Sequence, residues 1–200
     1  MTTLLCRTAL TSSSPEILGE VRRPDCSLAI WQRAPLAGAD ALIAGDATDV
    51  RFTAPIAALT AKLSAELVGA GFPAILARDE LTKDIVRLAE IYGPIIEASA
   101  VEIRVEVVTT DSCRKWHADY VSARLITTYA GTGTNWLDGA DADRVKKGLE
   151  PTRINSLEAG DVGVFKGKLA TGEPAIHRSP PIAGTGEKRL LVVLNPPAES

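Results

Sequence analysis

Cysteine is scarce in this 200-residue chain: Cys6, Cys26 and Cys113 are odd in number, far apart and free of any C-x-x-C spacing. A disulfide framework and a cysteine-built zinc site are therefore not expected, and a reducing cytoplasm is the compartment that fits. No run approaches the roughly 18 apolar residues of a membrane span. The opening MTTLLCRTALTSSS lacks the basic region and sustained apolar stretch of a secretory signal, and no apolar segment precedes Leu4-Leu5-Cys6. Positive charge is not in excess either. Lys and Arg total 22 against 25 Asp and Glu, the net charge is -3, and the densest basic spots, Arg22-Arg23 and Lys146-Lys147, are only pairs. Nucleic acid and membrane are thus not expected partners. The sequence also contains no internal repeat and no low-complexity tract.

What is present has the ordinary balance of a globular chain, with 46% apolar and 24% charged residues. The first 14 residues read as a loose arm, Ser27 to Trp31 as a short strand, and residues 34–52 as loop. The pattern Ile56, Leu59, Leu63, Leu67 predicts a helix capped by Thr53, with Pro55 in its first turn. Leu81, Ile85, Leu88 and Tyr92 predict a second helix over 79–92, stopped by Gly93-Pro94. From residue 99 the period changes. Val101, Ile103, Val105 and Val107 alternate with Glu102, Arg104 and Glu106, the mark of a half-buried strand. Further strands are expected at 123–129, 161–165 and 189–194, with a surface loop or single helical turn over 138–150. The predicted architecture is α+β, with N-terminal helices (1–98) packed on a C-terminal antiparallel barrel of the jelly-roll or cupin-like kind (99–200), together one compact domain. The helices either cover the barrel or mediate a homodimer.

Histidine is the rarest informative residue. There are two, His117 in KWHADY and His177 in AIHRSPP. In a strand, residues two apart point to one side, so His117 and Asp119 can converge on one ion, with His177 arriving from another strand. Two imidazoles and a carboxylate suit Fe(II) and leave positions open. Zinc, with water as its fourth ligand, is the alternative metal for a non-catalytic binding or homeostasis module, and a barrel that lost its metal and acts as a scaffold is a third possibility. Arg189 opens the strand RLLVVL, where its guanidinium can grip a carboxylate in a bidentate pair.

The runs LEAGDVGVFKG and IHRSPPIAGTGEKRLLVVL resemble the end of an Fe(II)/2-oxoglutarate-dependent dioxygenase domain, the double-stranded β-helix superfamily. The features in order are Gly160-Asp161, Phe165, His177, Gly186 and Arg189, and the resemblance covers about residues 99–195. More narrowly, WHAD followed by RLITTYAGTGTNW resembles a bacterial family described as a domain of unknown function. The broader resemblance implies iron held by His117, Asp119 and His177, and the distal carboxylate of 2-oxoglutarate held by Arg189. It implies an oxidoreductase that releases succinate and carbon dioxide while hydroxylating an unidentified substrate. No R-x-S motif follows Arg189, and Lys188, Arg178 and Arg124 also stand near enough to claim the carboxylate. Tyr129 is a candidate hydrogen-bond partner for the co-substrate, with a half-buried strand tyrosine as the plainer reading. Trp116 and Trp136 flank the expected pocket. Gly131 and Gly133 lack the G-x-G-x-x-G pattern and read as a hairpin turn. Cys113 would convert the site to Cys-His-Asp-His zinc, but metal-ligand cysteines usually come paired. Asp138, Asp141 and Asp143 lack the glycine and terminal glutamate of a calcium loop and read as solvated loop.

Overall fold

The alternation of apolar and charged residues after Ser99 decides the centre of the fold, because a strand with one wholly apolar side must bury that side. The computed structural model describes residues 8–198; Cys6 and the Leu4-Leu5 pair lie outside them. In chain order the strands and helices are β1 (Thr8–Ser12), β2 (Cys26–Trp31), α1 (Ala39–Leu42), β3 (Val50–Pro55), α2 (Leu59–Gly69), α3 (Leu76–Ile95), β4 (Ala100–Val108), β5 (Ala123–Ala130), β6 (Asn135–Trp136), α4 (Gly139–Lys146), β7 (Asn155–Ser156), β8 (Val162–Lys166), β9 (His177–Arg178) and β10 (Arg189–Asn195). Seven strands form one sheet in the order β1-β2-β8-β5-β10-β4-β3, and β7-β6-β9 form a second, small sheet. Every pairing is antiparallel except β1 with β2.

The large sheet separates two apolar layers. On one face Val101, Ile103, Val105, Leu125, Val164, Val192 and Leu194 pack with Leu59, Leu63 and Leu67 of α2 and Leu81, Ile85 and Leu88 of α3. On the other, Leu28, Ile126, Phe165, Leu191 and Val193 form a second cluster that Leu157 joins. This is the expected α+β arrangement of helices on an antiparallel sheet. Among the described residues no helix is long and apolar enough to cross a membrane.

The N-terminal part contributes more than an arm and helices. Thr8–Ser12, Cys26–Trp31 and Val50–Pro55 are strands of the main sheet, so strands as well as helices precede residue 99 and one core spans that point. Thr53 caps no helix. It pairs with Glu102 in β3, and α2 starts only at Leu59 after a short 3-10 turn. The ladder to β4 outcompetes a cap there, and Pro55 is admitted because β3 is an edge strand. Likewise α3 does not stop at Gly93-Pro94 but ends at Ile95. Gly93 is needed for proximity: a Cβ there would lie 2.5 Å from Ile56 Cδ1 and 2.9 Å from Ala98 O. The segment expected as a loop over 138–150 holds α4. Asp138 caps it by accepting the Asp141 N–H at 2.9 Å, while buried Asp141 accepts N–H bonds from Thr152 and Arg153 at 2.6 and 3.0 Å. These carboxylates staple the polypeptide rather than face solvent.

Tyr129 lies on the helical side of β5, not in the barrel interior. Its hydroxyl donates to Asp84 Oδ2 of α3 at 2.5 Å, and Asp84 forms a two-pronged pair with Arg33 at 2.6 and 2.7 Å. Alternation along β5 explains this: Arg124 and Ile126 point to one side, Leu125 and Tyr129 to the other. Arg33 also donates to Gly160 O at 2.7 Å, so this cluster ties three separate segments together. Removing the acid leaves a largely buried guanidinium uncompensated. Asp84→Ala is expected to lower unfolding free energy by about 3 kcal/mol and Tyr129→Phe by about 1 kcal/mol. Urea denaturation followed by circular dichroism checks both, and Tyr129→Phe is expected to keep metal affinity unchanged.

Candidate metal centre

A backbone bridge brings the two histidines face to face. His117 N–H donates to His177 O at 3.0 Å and His177 N–H donates to His117 O at 2.9 Å. On its other side His177 pairs with Trp136 in the small sheet. His117 is thus an isolated bridge residue and not part of a strand that also contains Asp119. The expectation that strand alternation aligns the pair is corrected accordingly. Asp119 is held instead by its own carbonyl, which accepts the Lys168 N–H at 2.8 Å, as the chain after β8 folds back against residues 119–122.

The three side chains meet. One ligand atom from each of His117, Asp119 and His177 lies within 4.8 Å of the others. His177 Nε2 stands 3.3 Å from Asp119 Oδ2, and His117 Nε2 stands 3.7 Å from Asp119 Oδ1. Each imidazole points its Nδ1 at a backbone carbonyl, Lys115 O at 2.8 Å and Ala175 O at 3.3 Å. A carbonyl only accepts, so Nδ1 carries the proton and Nε2 turns a lone pair toward the centre. Asp119 Oδ2 is buried and has no hydrogen-bond donor. Two lone pairs and an orphaned carboxylate oxygen aimed at one point repel each other unless a cation lies between them. The donor set therefore fits a metal ion, and three protein ligands leave positions for other molecules.

Neighbouring groups fix this arrangement. The Phe165 ring lies 4.7 Å from the His177 ring. Arg124 Nη1 donates to Asp119 Oδ1, and Arg124 Nε donates to Asn195 Oδ1 at 2.6 Å. Burial alone would raise the pKa of Asp119. The Arg124 guanidinium opposes this, and the carboxyl is held below its ordinary value.

The centre opens on a cavity of about 370 Å³ lined by His117, His177, Arg124, Ile126, Leu191 and Val193 among others. Arg189 is on the same sheet face as Leu191 and Val193, at the opposite end of β10 from Asn195. It is fully buried. Its Nε donates to Thr132 O at 2.6 Å and Nη2 reaches Thr128 Oγ1 at 3.4 Å, while Nη1 has no partner. The turn at Gly131 wraps it closely: a Cβ there would sit 2.9 Å from Arg189 Cγ and 2.7 Å from Lys188 O, and its φ is +79°. Burial lowers the pKa of this guanidinium from its ordinary value.

The other arginine and lysine candidates are placed elsewhere. Lys188 Nζ is turned to the α1 end of the molecule, onto Ile43 O and Gly45 O at 3.2 and 3.1 Å. Arg178 stacks over Trp116 at 4.2 Å. Arg124 is committed to the Asp119 carboxylate and to Asn195. Tyr129, as shown above, is on the far side of the sheet. Cys113 lines the cavity but is not among the converging ligands. Sequence reasoning passed over Asn195, Arg104 and Glu106, although the alternation in β4 carried a signal: a polar strand side can face a cavity as readily as solvent.

Residues 12–195 match one family over nearly the whole chain. The protein belongs to the family described as Protein of unknown function (DUF1826). No curated protein matches the sequence. Among solved structures, the dioxygenase for auxin oxidation from rice is similar over 94% of this chain and 82% of its own, with a TM-score of 0.52 at 13% identity. A Pseudomonas putida prolyl-4-hydroxylase matches over 90% of this chain and 96% of its own, with a TM-score of 0.43 at 16% identity. A full-length Neurospora crassa protein, solved in complex with alpha-KG and 5-formyluracil, matches over 98% of this chain and 85% of its own, with a TM-score of 0.45 at 11% identity. At 13% identity the likeness to the rice protein is one of fold alone, the double-stranded β-helix. This DUF1826 chain thus combines that fold with a His-Asp-His cluster.

The geometry generates a graded expectation. His117→Ala, Asp119→Ala and His177→Ala should each reduce bound divalent metal to background, measured by anaerobic Co(II) titration. Arg124→Met leaves the ligands in place but frees Asp119 to rotate, so metal affinity should fall about 10- to 100-fold. Unchanged affinity in Arg124→Met would remove its positioning role.

Proposed function

We propose that this protein is a mononuclear Fe(II) oxygenase that consumes 2-oxoglutarate and hydroxylates a small-molecule substrate. The observation that carries this reading is the pairing of two incomplete groups in one fold. A three-ligand centre has open positions, and a fully buried arginine at the other end of β10 has an unpartnered Nη1. A dicarboxylate completes both: one end meets the centre and the other meets Arg189.

The chain's own residues do definable work in this reading. His117, Asp119 and His177 hold Fe(II), which supplies oxygen activation when bound. Arg189 takes the distal carboxylate through Nη1, and Thr128 Oγ1, already 3.4 Å from Nη2, lies beside that position. Thr132 O fixes the guanidinium plane before the co-substrate arrives, so little ordering is left for binding. Arg124 keeps Asp119 oriented, and Phe165 fixes the His177 ring. Ile126, Leu191 and Val193 supply an apolar floor that limits water near the reacting bond. The overall balance is substrate R–H, O2 and 2-oxoglutarate in, and R–OH, succinate and CO2 out. A reducing cytoplasm suits this chemistry, since it maintains ferrous iron and keeps exposed Cys113 as a thiol.

The test is an anaerobic titration of 2-oxoglutarate into the Fe(II)-loaded protein, read by visible absorbance. A saturable charge-transfer band is expected, absent in Asp119→Ala. In Arg189→Gln the band should require about 10- to 150-fold more 2-oxoglutarate, the equivalent of about 1.5–3 kcal/mol for a charged hydrogen bond. Iron binding with no band at any concentration would overturn the oxygenase reading and leave a metal-binding module.

A further inference from the structure

The charged side of β4 faces the site rather than open solvent. Val101, Ile103 and Val105 are fully buried against the helices, which turns Glu102, Arg104 and Glu106 to the opposite side. There Arg104 stands directly across from Val193, and Glu106 across from Leu191. Arg104 and Glu106 line the 370 Å³ cavity that holds His117 and His177. Arg104 also lines a second cavity of about 560 Å³, which it and Arg124 share with the first.

Arg104 is paired with Glu106, Nε and Nη2 both donating to the single oxygen Oε1, with side-chain exposures of 27% and 21%. This ion pair does nothing for the long-range fold. Its members are two residues apart on one strand, whereas Arg33–Asp84 joins distant segments. Apolar residues would form this wall at no cost in stability, because half-buried ion pairs return little net energy. Its cross-strand neighbour Arg51 is turned to Glu102 at 3.0 Å, so it does not take Glu106 from Arg104. A charged pair that joins no distant segments and lines the cavity beside His117 and His177 is placed to meet a ligand.

A guanidinium beside a carboxylate is the complement of a carboxylate beside an ammonium. Resting on the oxygenase reading above, we propose that the primary substrate is a free L-amino acid. Its α-carboxylate binds Arg104 and its α-ammonium binds Glu106, the head group opening the internal pair and replacing each partner. Its side chain lies along Val193, Leu191 and Ile126, the apolar floor across the strands from this pair, and carries a C–H bond toward His117 and His177.

Calorimetric titration of the full-length protein with the proteinogenic L-amino acids, each beside its N-acetyl and carboxamide derivative, tests this. At least one free amino acid should bind saturably, with either derivative weaker by about tenfold or more, since each removes one charge-assisted contact. Arg104→Gln should weaken the same amino acid by a similar factor while melting temperature and near-ultraviolet circular dichroism stay those of the parent. If that variant fails to fold, the derivative series decides alone. Binding by no free amino acid, equal binding of a derivative, or unchanged binding in folded Arg104→Gln would overturn the proposal. The 2-oxoglutarate band is recorded in parallel. A band without amino-acid binding overturns only the substrate class, and amino-acid binding without a band supports this site while overturning the oxygenase reading.

Discussion

The structure turns on the repulsion among three acceptors. His117 and His177 present Nε2 lone pairs, and Asp119 presents a carboxylate with one oxygen lacking any donor, all within 4.8 Å. Such a cluster is unfavourable in a buried place without a cation, so the rest of the fold must hold it together. The two-way backbone bridge between the histidines, the carbonyls that fix their tautomers and the guanidinium of Arg124 all serve this constraint. Each acts from a different segment, which is why the centre exists only once the large and small sheets are closed on each other.

The large sheet divides the work by parity. One side of each strand packs on α2 and α3 and supplies the stability of a conventional apolar core. The other carries the cavity-lining groups Arg124 and Ile126 on β5, Arg104 and Glu106 on β4, and Leu191 and Val193 on β10, with Arg189 further along the same face. A shift of any strand by one residue would exchange the two sets. The unbroken helical layer against Val101, Ile103, Val105, Leu125, Val192 and Leu194 is what fixes the register, and so fixes the site indirectly.

Two ion pairs on the sheet have different consequences. Arg33 with Asp84 and Tyr129 lies between the sheet and α3, is bidentate, and joins segments far apart in sequence. It is a structural tie. Arg104 with Glu106 is local and borders a cavity, and Arg189 is buried with one nitrogen unpartnered. Arg104 and Glu106 satisfy each other on the cavity side of the sheet, whereas the unpartnered nitrogen of Arg189 leaves a donor free for an acceptor.

Composition and pattern alone determined a good deal. The change from helical to alternating period around residue 99 gave the α+β class and located β4, β5, β8 and β10 to within a residue or two, because alternation is a local property. The two histidines and Asp119 stood out by scarcity and order. Tertiary structure alone decided the rest. Thr53 went to a strand and not a cap because its partner Glu102 is distant in sequence. Tyr129 went to Asp84 on α3 because the sense of alternation, which side faces the helices, is not written in the strand itself. The charged side of β4 reads as a solvent face in sequence and lines a cavity in the fold, since polarity marks only what is not packed on apolar residues. What covers that side is set by the closing of a second sheet.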